Sequence, residues 1–363
     1  MIRMCDAFSK VGEDVTLVHP SYGEGDISFK NINNFYEIGS KFDIVTVPSF
    51  EGKNNIPNVP TSGEITIWLW AIKNIIQGNI TSEDVIFSRY HAPTWALGHV
   101  LRLFPDSRCP TIVYEQHQTK LNPPLTNRSF SENIDGVVFI ASQLRETIRE
   151  QYELPLKKTL VAHDGVTLSK YDGISQEQAR ESLELPRDGN LVVYTGHLYV
   201  NKGVEQLVQA ASDTDSSVYI VGGYEEDLQR VKSEVNVPEN VTFTGFVQPS
   251  EIPKYQRASD ILVATAKPDA EYYSPLKLFE YMAAGKPIVA TYTDAFAEVL
   301  TDDKNCIFVS SGDSKEMAEA IEDLLSDTEL RTRLGESNCE AAKQYSWTRR
   351  AERISEFIES KSD

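Results

Sequence analysis

The stretch SPLKLFEYMAAGKPIVAT, Ser274–Thr291, combines residue types suited to holding an anion. Serine is a good N-cap, and proline fits the first helical position, whose N–H has no intrahelical partner anyway. Leu276, Phe279, Met282 and Ala283 recur at helical spacing, and Gly285 with Pro287 ends the pattern. The spacing predicts a helix starting near Pro275. Its free amides and the positive end of its dipole then lie at Ser274, a place for phosphate. Lys277 in the first turn opposes the dipole, which suits it to a second purpose, a cation for the same anion. Glu280 follows at a rise of about 7 Å, where a carboxylate can accept hydrogen bonds from a ribose diol. Glutamates on helices usually face solvent, but Phe279, Tyr281 and Met282 leave little polar surface beside this one.

A second candidate is YTGHLYVNKGVEQLVQA, in which a strand ends at Gly196, a loop follows, and Lys202-Gly203 opens a helix. This repeats the strand–loop–helix turn with a cation at the helix start that phosphate sites use. One Lys-Gly pair is a weak signal; two such turns in one domain are a stronger one. The third candidate is VYEQHQT, where His117 directly follows an apolar strand and can donate to a hydroxyl or phosphate near neutral pH. His91, His99 and His163 have less context and read as structural. No HExxH, HxxxH or carboxylate cluster suggests a metal. No GxSxG or Cys/His arrangement suggests a hydrolase nucleophile.

Positioning these residues requires strands that alternate with helices, and the chain reads that way. Apolar, β-branched runs stand at 14–20, 42–48, 84–89, 110–117 and 136–142, and again at 190–196, 217–223, 241–246, 260–265, 287–291 and 306–310. Runs apolar throughout imply parallel sheets covered on both faces. Two series predict two doubly wound α/β domains facing each other, with ligands beyond the carboxyl ends of the strands. The polar segment Leu168–Gly189 separates the series. The expected division is residues 1–172, 173–345, and a tail helix at 346–363. The first residues, MIRMCDAFSKV, look helical and stop at Gly12, so the strand and loop that usually open such a domain have no counterpart. The expectation is an internal start, with roughly 15–25 residues upstream.

At 363 residues the chain has room for both cores. Its net charge of −19 is uneven: residues 1–172 hold 16 basic and 20 acidic residues, and the remainder 35−16=19 and 54−20=34, so −4 against −15. Such a balance argues against a nucleic-acid partner, which calls for clustered Lys and Arg. The nearly neutral first half is the better candidate for an anionic substrate or a peripheral membrane contact. Cys5, Cys109, Cys306 and Cys339 form no CxxC pair and read as reduced thiols of a cytoplasmic protein.

Together these clusters resemble the retaining, nucleotide-sugar-dependent glycosyltransferases of family 4, which have the GT-B fold of two facing Rossmann-like domains. GHLYVNKG resembles the family's GRL…KG segment, VAHDGVTLSKYD its crossing segment, and SPLKLFEYMAAGKPIVAT its glutamate-x7-glutamate region. FSRYHAP…TIVYEQHQ resembles the strand ending in the active-site histidine, and YSWTRRAERISEFIES the tail helix that packs back on the first domain. The resemblance implies a donor site of Gly196, His197, Lys202, Gly203, Phe246, Val247, Glu271, Tyr272, Ser274, Pro275, Leu276, Lys277 and Glu280. In it Lys202 contacts the diphosphate, Glu280 holds the ribose, and Phe246 and Val247 meet the base. His117 contacts the donor sugar or departing phosphate. The implied reaction uses no cofactor and no metal, only the nucleotide sugar as co-substrate, with a glycan, lipid-linked or small-molecule acceptor.

The pattern departs from the family in places. Eight residues before Glu280 stands Tyr272, with Glu271 one position early, which leaves sugar identity open. His197 replaces an arginine and Asp164 an asparagine. Two rivals remain: a nucleotide-sugar epimerase on the same fold, and a nucleotide-sugar-binding or truncated, inactive homologue.

Overall fold

The computed structural model describes residues 1–21, 38–49, 62–117, 133–152, 155, 158–267 and 276–362. The chain forms two units, Met1–His163 with Trp347–Asp363, and Asp164–Ser346.

In the first unit, helix α1 (Ile2–Lys10) is followed by β1 (Thr16–Pro20), β2 (Asp43–Val47), α2 (Ser62–Gln77), β3 (Val85–Ser88) and α3 (His91–Leu101). Then come β4 (Thr111–Gln116), β5 (Gly136–Phe139), α4 (Ser142–Tyr152) and β6 (Thr159–Val161). The described strands pair in parallel as two sheets, β1-β2 and β3-β4-β5-β6. The expected helix at the start is present, and Gly12 ends its turn at φ +101°. β6 carries only TLV, too short for a periodic signal, and only its last residue, Val161, falls in the segment read from sequence as the crossing between domains.

The second unit holds α5 (Gln176–Ser182), β7 (Leu191–Thr195), α6 (Glu205–Ala210), β8 (Ser217–Val221), α7 (Glu225–Glu234), β9 (Val241–Gly245), α8 (Ile252–Ala258) and β10 (Ile261–Ala264). It continues through α9 (Leu276–Ala283), β11 (Ile288–Thr291), α10 (Asp294–Ala297), β12 (Ile307–Val309), α11 (Ser314–Ser326) and α12 (Thr328–Ala342). All six strands of the second predicted series are present. They form one parallel sheet in the order β12-β11-β10-β7-β8-β9. Numbered from β7, this is the 3-2-1-4-5-6 order of a dinucleotide-binding sheet, and its topological switch lies between β7 and β10.

Alternation along β7 shows why the sheet is covered twice. Leu191 and Val193 pack with Ala258, Phe279 and Met282 on one face. Val192 and Tyr194 pack with Leu207, Met317 and Ile321 on the other. Successive side chains point to opposite faces, so a strand apolar at every position calls for helices on both sides.

The boundaries differ from the sequence reading. Leu168–Gly189, read as a polar connector, folds into the second unit because its polar groups have specific partners there. Arg180 is 6 % exposed, and its guanidinium donates to Asp260 at 2.7 Å and to the carbonyls of Ala258, Arg187 and Gly189. The division therefore falls at Asp164 rather than after Asp172. The last helix, α13 (Trp347–Ser362), belongs to the first unit, where Ala351 and Ile354 pack with Met4 and Ala7 of α1 over Val113 and Val138.

Candidate functional site

The switch point of the second unit is built from two loops. After β7 the chain passes Gly196 and His197, makes a 3₁₀ turn at Val200–Lys202, and reverses at Gly203 with φ +63°. The helix that follows begins at Glu205, so Lys202 closes a tight turn rather than opening the helix as the sequence suggested. After β10, the Lys267 N–H donates to the Asn201 carbonyl at 3.1 Å and ties the second loop to the first. A side chain on Gly203 would be strained by its φ and would press on Ala266 and Lys267 at 3.3–3.4 Å.

Glu271, Tyr272, Ser274 and Pro275 lie outside the described residues. Helix α9 is described from Leu276, which is exposed. On it, Lys277 turns inward. Its ammonium stands 3.5 Å from the centroid of the Tyr194 ring, a close cation–π contact. The glycine at 196, at φ +135°, leaves space for this lysine: a Cβ there would meet Lys277 Cε at 3.1 Å and Nζ at 3.2 Å. Burial holds the Lys277 ammonium well below the usual lysine range, and the neighbouring Lys202 charge adds to the effect against Glu280. Burial lowers Lys202 too. The two cations assigned to one anion thus lie close enough to repel each other.

Glu280 sits in a polar pocket of the same helix face. Burial raises its carboxyl above the usual range, against a hydrogen bond from Gln256 and the charges of Lys170 and Lys277. Gln256 is itself fixed: it accepts from the Tyr171 hydroxyl at 2.6 Å and donates to Thr195 Oγ1 at 3.0 Å. The Tyr281 hydroxyl accepts from the Thr195 N–H at 2.8 Å and anchors α9 to the end of β7. Sequence reasoning missed Gln256, Tyr171 and Tyr194. Their signal was weak, since a polar or aromatic residue inside an apolar pattern names no partner until the fold supplies one.

Phe246, one of the two residues assigned to the base, stands at the end of an exposed aromatic row. His197 stacks on Tyr199 at 4.9 Å, and Tyr224 lies parallel to Phe246 at 6.4 Å. Phe246 is 62 % exposed, whereas Val247 packs against the core. His197 offers its ring to aromatic neighbours here, unlike an arginine that would reach for phosphate. A separate cavity of about 360 Å³ beside Gly203 is lined by Glu205, Glu234, Lys267 and Ser311 but by neither Lys202 nor Lys277. Two acids in its wall make it unsuited to a diphosphate.

In the first unit, His117 directly follows β4 and bonds through Nε2 to Glu115, which is fully buried. Arg89, just past the end of β3, reaches the same carboxylate at 2.8 Å. Arg350 of α13 reaches it at 3.3 Å. Burial alone would raise the Glu115 carboxyl; Arg350, the His117 bond and Arg89 outweigh it and hold it far below the usual range. The sequence did carry a signal for Glu115, a charged residue within a strand buried on both faces. His91 and His163 lie in the same unit, and the His163 ring is within 2.9 Å of the Ile140 carbonyl through Nδ1, in keeping with a structural role. Among the described residues no group of three His, Cys, Asp or Glu could hold a metal ion. Among them, too, no helix is long and apolar enough to cross a membrane.

The second unit is a Rossmann-type sheet with two lysines at its switch point, and the solved structures that the chain matches have the GT-B fold. A glycosyltransferase from Rickettsia africae ESF-5 matches 100% of this chain and 94% of its own with TM-score 0.76 at 16% identity. Anabaena Alr3699/HepE in complex with UDP matches 99% and 96% with TM-score 0.69 at 19% identity, and the same protein has been solved with UDP-glucose. Residues 175–340 match the family Glycosyl transferases group 1. That match lies within the second unit, and the chain has the GT-B fold. Among curated relatives, spore coat protein SA of Bacillus subtilis (strain 168) is 29% identical over 246 residues, 61% of this chain. The chain spans 64% of that relative's length.

Proposed function

We propose that this chain is a glycosyltransferase that moves a sugar from a nucleoside diphosphate donor to a glycan, lipid-linked or small-molecule acceptor with retention of configuration. The observation that carries the reading is the convergence of Lys202, Lys277 and Glu280 at the switch point of the β7–β10 sheet. UDP and UDP-glucose bound to Alr3699/HepE support the donor class. As the bond between the anomeric carbon and the phosphate oxygen breaks, negative charge gathers on the departing diphosphate. Lys202, Lys277 and the first amides of α9 are preorganised to receive it. Glu280, held by Gln256, accepts from the ribose hydroxyls. Phe246 offers the base an exposed ring face. His117 is the first unit's contribution to the reaction.

The charge on the diphosphate is met here by side chains and helix amides, so titration calorimetry should register UDP binding in EDTA as well as in magnesium. Binding seen only with magnesium would exclude this arrangement. Glu280→Gln is expected to weaken UDP about tenfold, the worth of one charge-assisted hydrogen bond, and to leave pyrophosphate unchanged. Because burial raises the Glu280 carboxyl, its ionised form is lost as pH falls through that raised value. Parent affinity for UDP should therefore drop on acidification, and that drop should be missing in Glu280→Gln. Equal losses for UDP and pyrophosphate would remove the ribose role.

A further inference from the structure

We propose that Glu115 is a positioning residue that fixes the tautomer of His117, placing its hydrogen on Nε2 and leaving Nδ1 as the ring's acceptor. The proposal rests on the reading of His117 as the first unit's catalytic group. Each partner described for the Glu115 carboxylate is a nitrogen. Arg89 Nη2 reaches Oε1 at 2.8 Å, Arg350 Nη2 reaches Oε1 at 3.3 Å, Arg350 Nη1 reaches Oε2 at 3.4 Å, and His117 Nε2 bonds Oε1. An ionised carboxylate can only accept. With two guanidiniums beside it this one is ionised, so the imidazole nitrogen facing it must carry the hydrogen. A neutral ring then has its lone pair on Nδ1, where it can accept from a substrate hydroxyl.

The support reaches further back. The Arg350 Nε donates to the carbonyls of Ala162 at 3.2 Å and His163 at 2.8 Å. Its guanidinium is thereby locked to the end of β6, with a side chain 2 % exposed. Helix α13 thus holds Arg350, Arg350 holds Glu115, and Glu115 holds His117. A carboxylate present only to fasten α13 would be served by Arg350 alone. The Arg89 and His117 contacts add two donors on the side where β3 and β4 end. Orienting a catalytic imidazole through a buried carboxylate on its far nitrogen is a general way to set which nitrogen works.

The test is the ring itself. In full-length protein with ¹⁵N-labelled histidine, long-range ¹H–¹⁵N spectra near pH 8, above the ordinary histidine pKa of about 6.5, report each ring's tautomer. The chain has six histidines, and the His117 signals are those missing from a His117→Gln sample. In the parent protein His117 should be almost wholly in the Nε2–H form. In Glu115→Gln, whose amide can donate as well as accept, the tautomer ratio should fall by about tenfold or more. A parent ring in the Nδ1–H form overturns the proposal without any variant. A Glu115→Gln protein that melts earlier yet keeps the parent tautomer shows a fastening role only and overturns it as well. Full transferase activity in His117→Ala would remove the catalytic reading of the ring while leaving the tautomer result intact, so the two failures are separable.

Discussion

Lys202→Ala is expected to weaken UDP by about 100-fold in titration calorimetry. A hydrogen bond between a lysine ammonium and a phosphate oxygen is worth about 1.5–3 kcal/mol, or about 10- to 150-fold in affinity. Two features put Lys202 near the top of that range. It is partly buried, so its bonds are poorly screened, and it closes a turn tied to the second loop through Lys267, so little ordering is required on binding. Burial also lowers its pKa in the unliganded protein. An anion favours the charged form, so UDP binding should be accompanied by proton uptake on the alkaline side, and affinity should fall as pH rises through the depressed lysine values. Calorimetry in two buffers of different ionisation enthalpy measures that uptake, which Lys202→Ala should reduce. Unchanged affinity in the variant would place the diphosphate elsewhere, and with it the donor site.

Much of the framework around the candidate site was legible in the sequence. Ser274–Thr291 announced a helix by its apolar spacing and its Gly285 stop, and α9 covers Leu276–Ala283 within it. Glu280 was marked by charge where Phe279, Tyr281 and Met282 leave little polar face, and Lys277 by its place in the first turn, against the helix dipole. The six strands of the second unit were legible because both of their faces are buried, which demands apolar residues at each position. What sequence could not supply was partnership. Gln256 stands 24 residues before Glu280, yet α8 brings it to that carboxylate. Arg350 and Glu115 are 235 positions apart and meet only because α13 folds onto the first unit. The connector at Leu168–Gly189 misled for a related reason: local polarity reads as exposure, whereas Arg180 is buried among carbonyls that its own sequence does not reveal. The strand β6 was missed because three residues carry no period.

The lysine on α9 makes a prediction of the opposite kind, a variant that gains stability as it loses function. In the unliganded protein the Lys277 ammonium lies over the Tyr194 ring, buried and beside a second lysine, and its pKa is pushed well down by burial first and Lys202 next. An unfolded chain binds the proton more readily than the folded one across the window between that depressed value and the ordinary 10.4 or so. Folding stability contributed by this group therefore rises with pH through the window and is poorest below it, where the buried charge is fully present. Lys277→Met keeps an unbranched side chain against the same ring, where sulfur packs well, and removes the charge. The unliganded variant should melt about 2–4 °C above the parent at neutral pH, corresponding to about 1 kcal/mol. The gain should shrink as pH rises and the parent lysine loses its own charge. The melting shift that saturating UDP produces in the parent should collapse in the variant, because that shift scales with the logarithm of ligand concentration over Kd. A variant that melts lower than the parent would mean the cation–π contact outweighs the burial of charge. A variant that melts higher and still answers fully to UDP would mean that Lys277 is strained for some purpose other than the diphosphate.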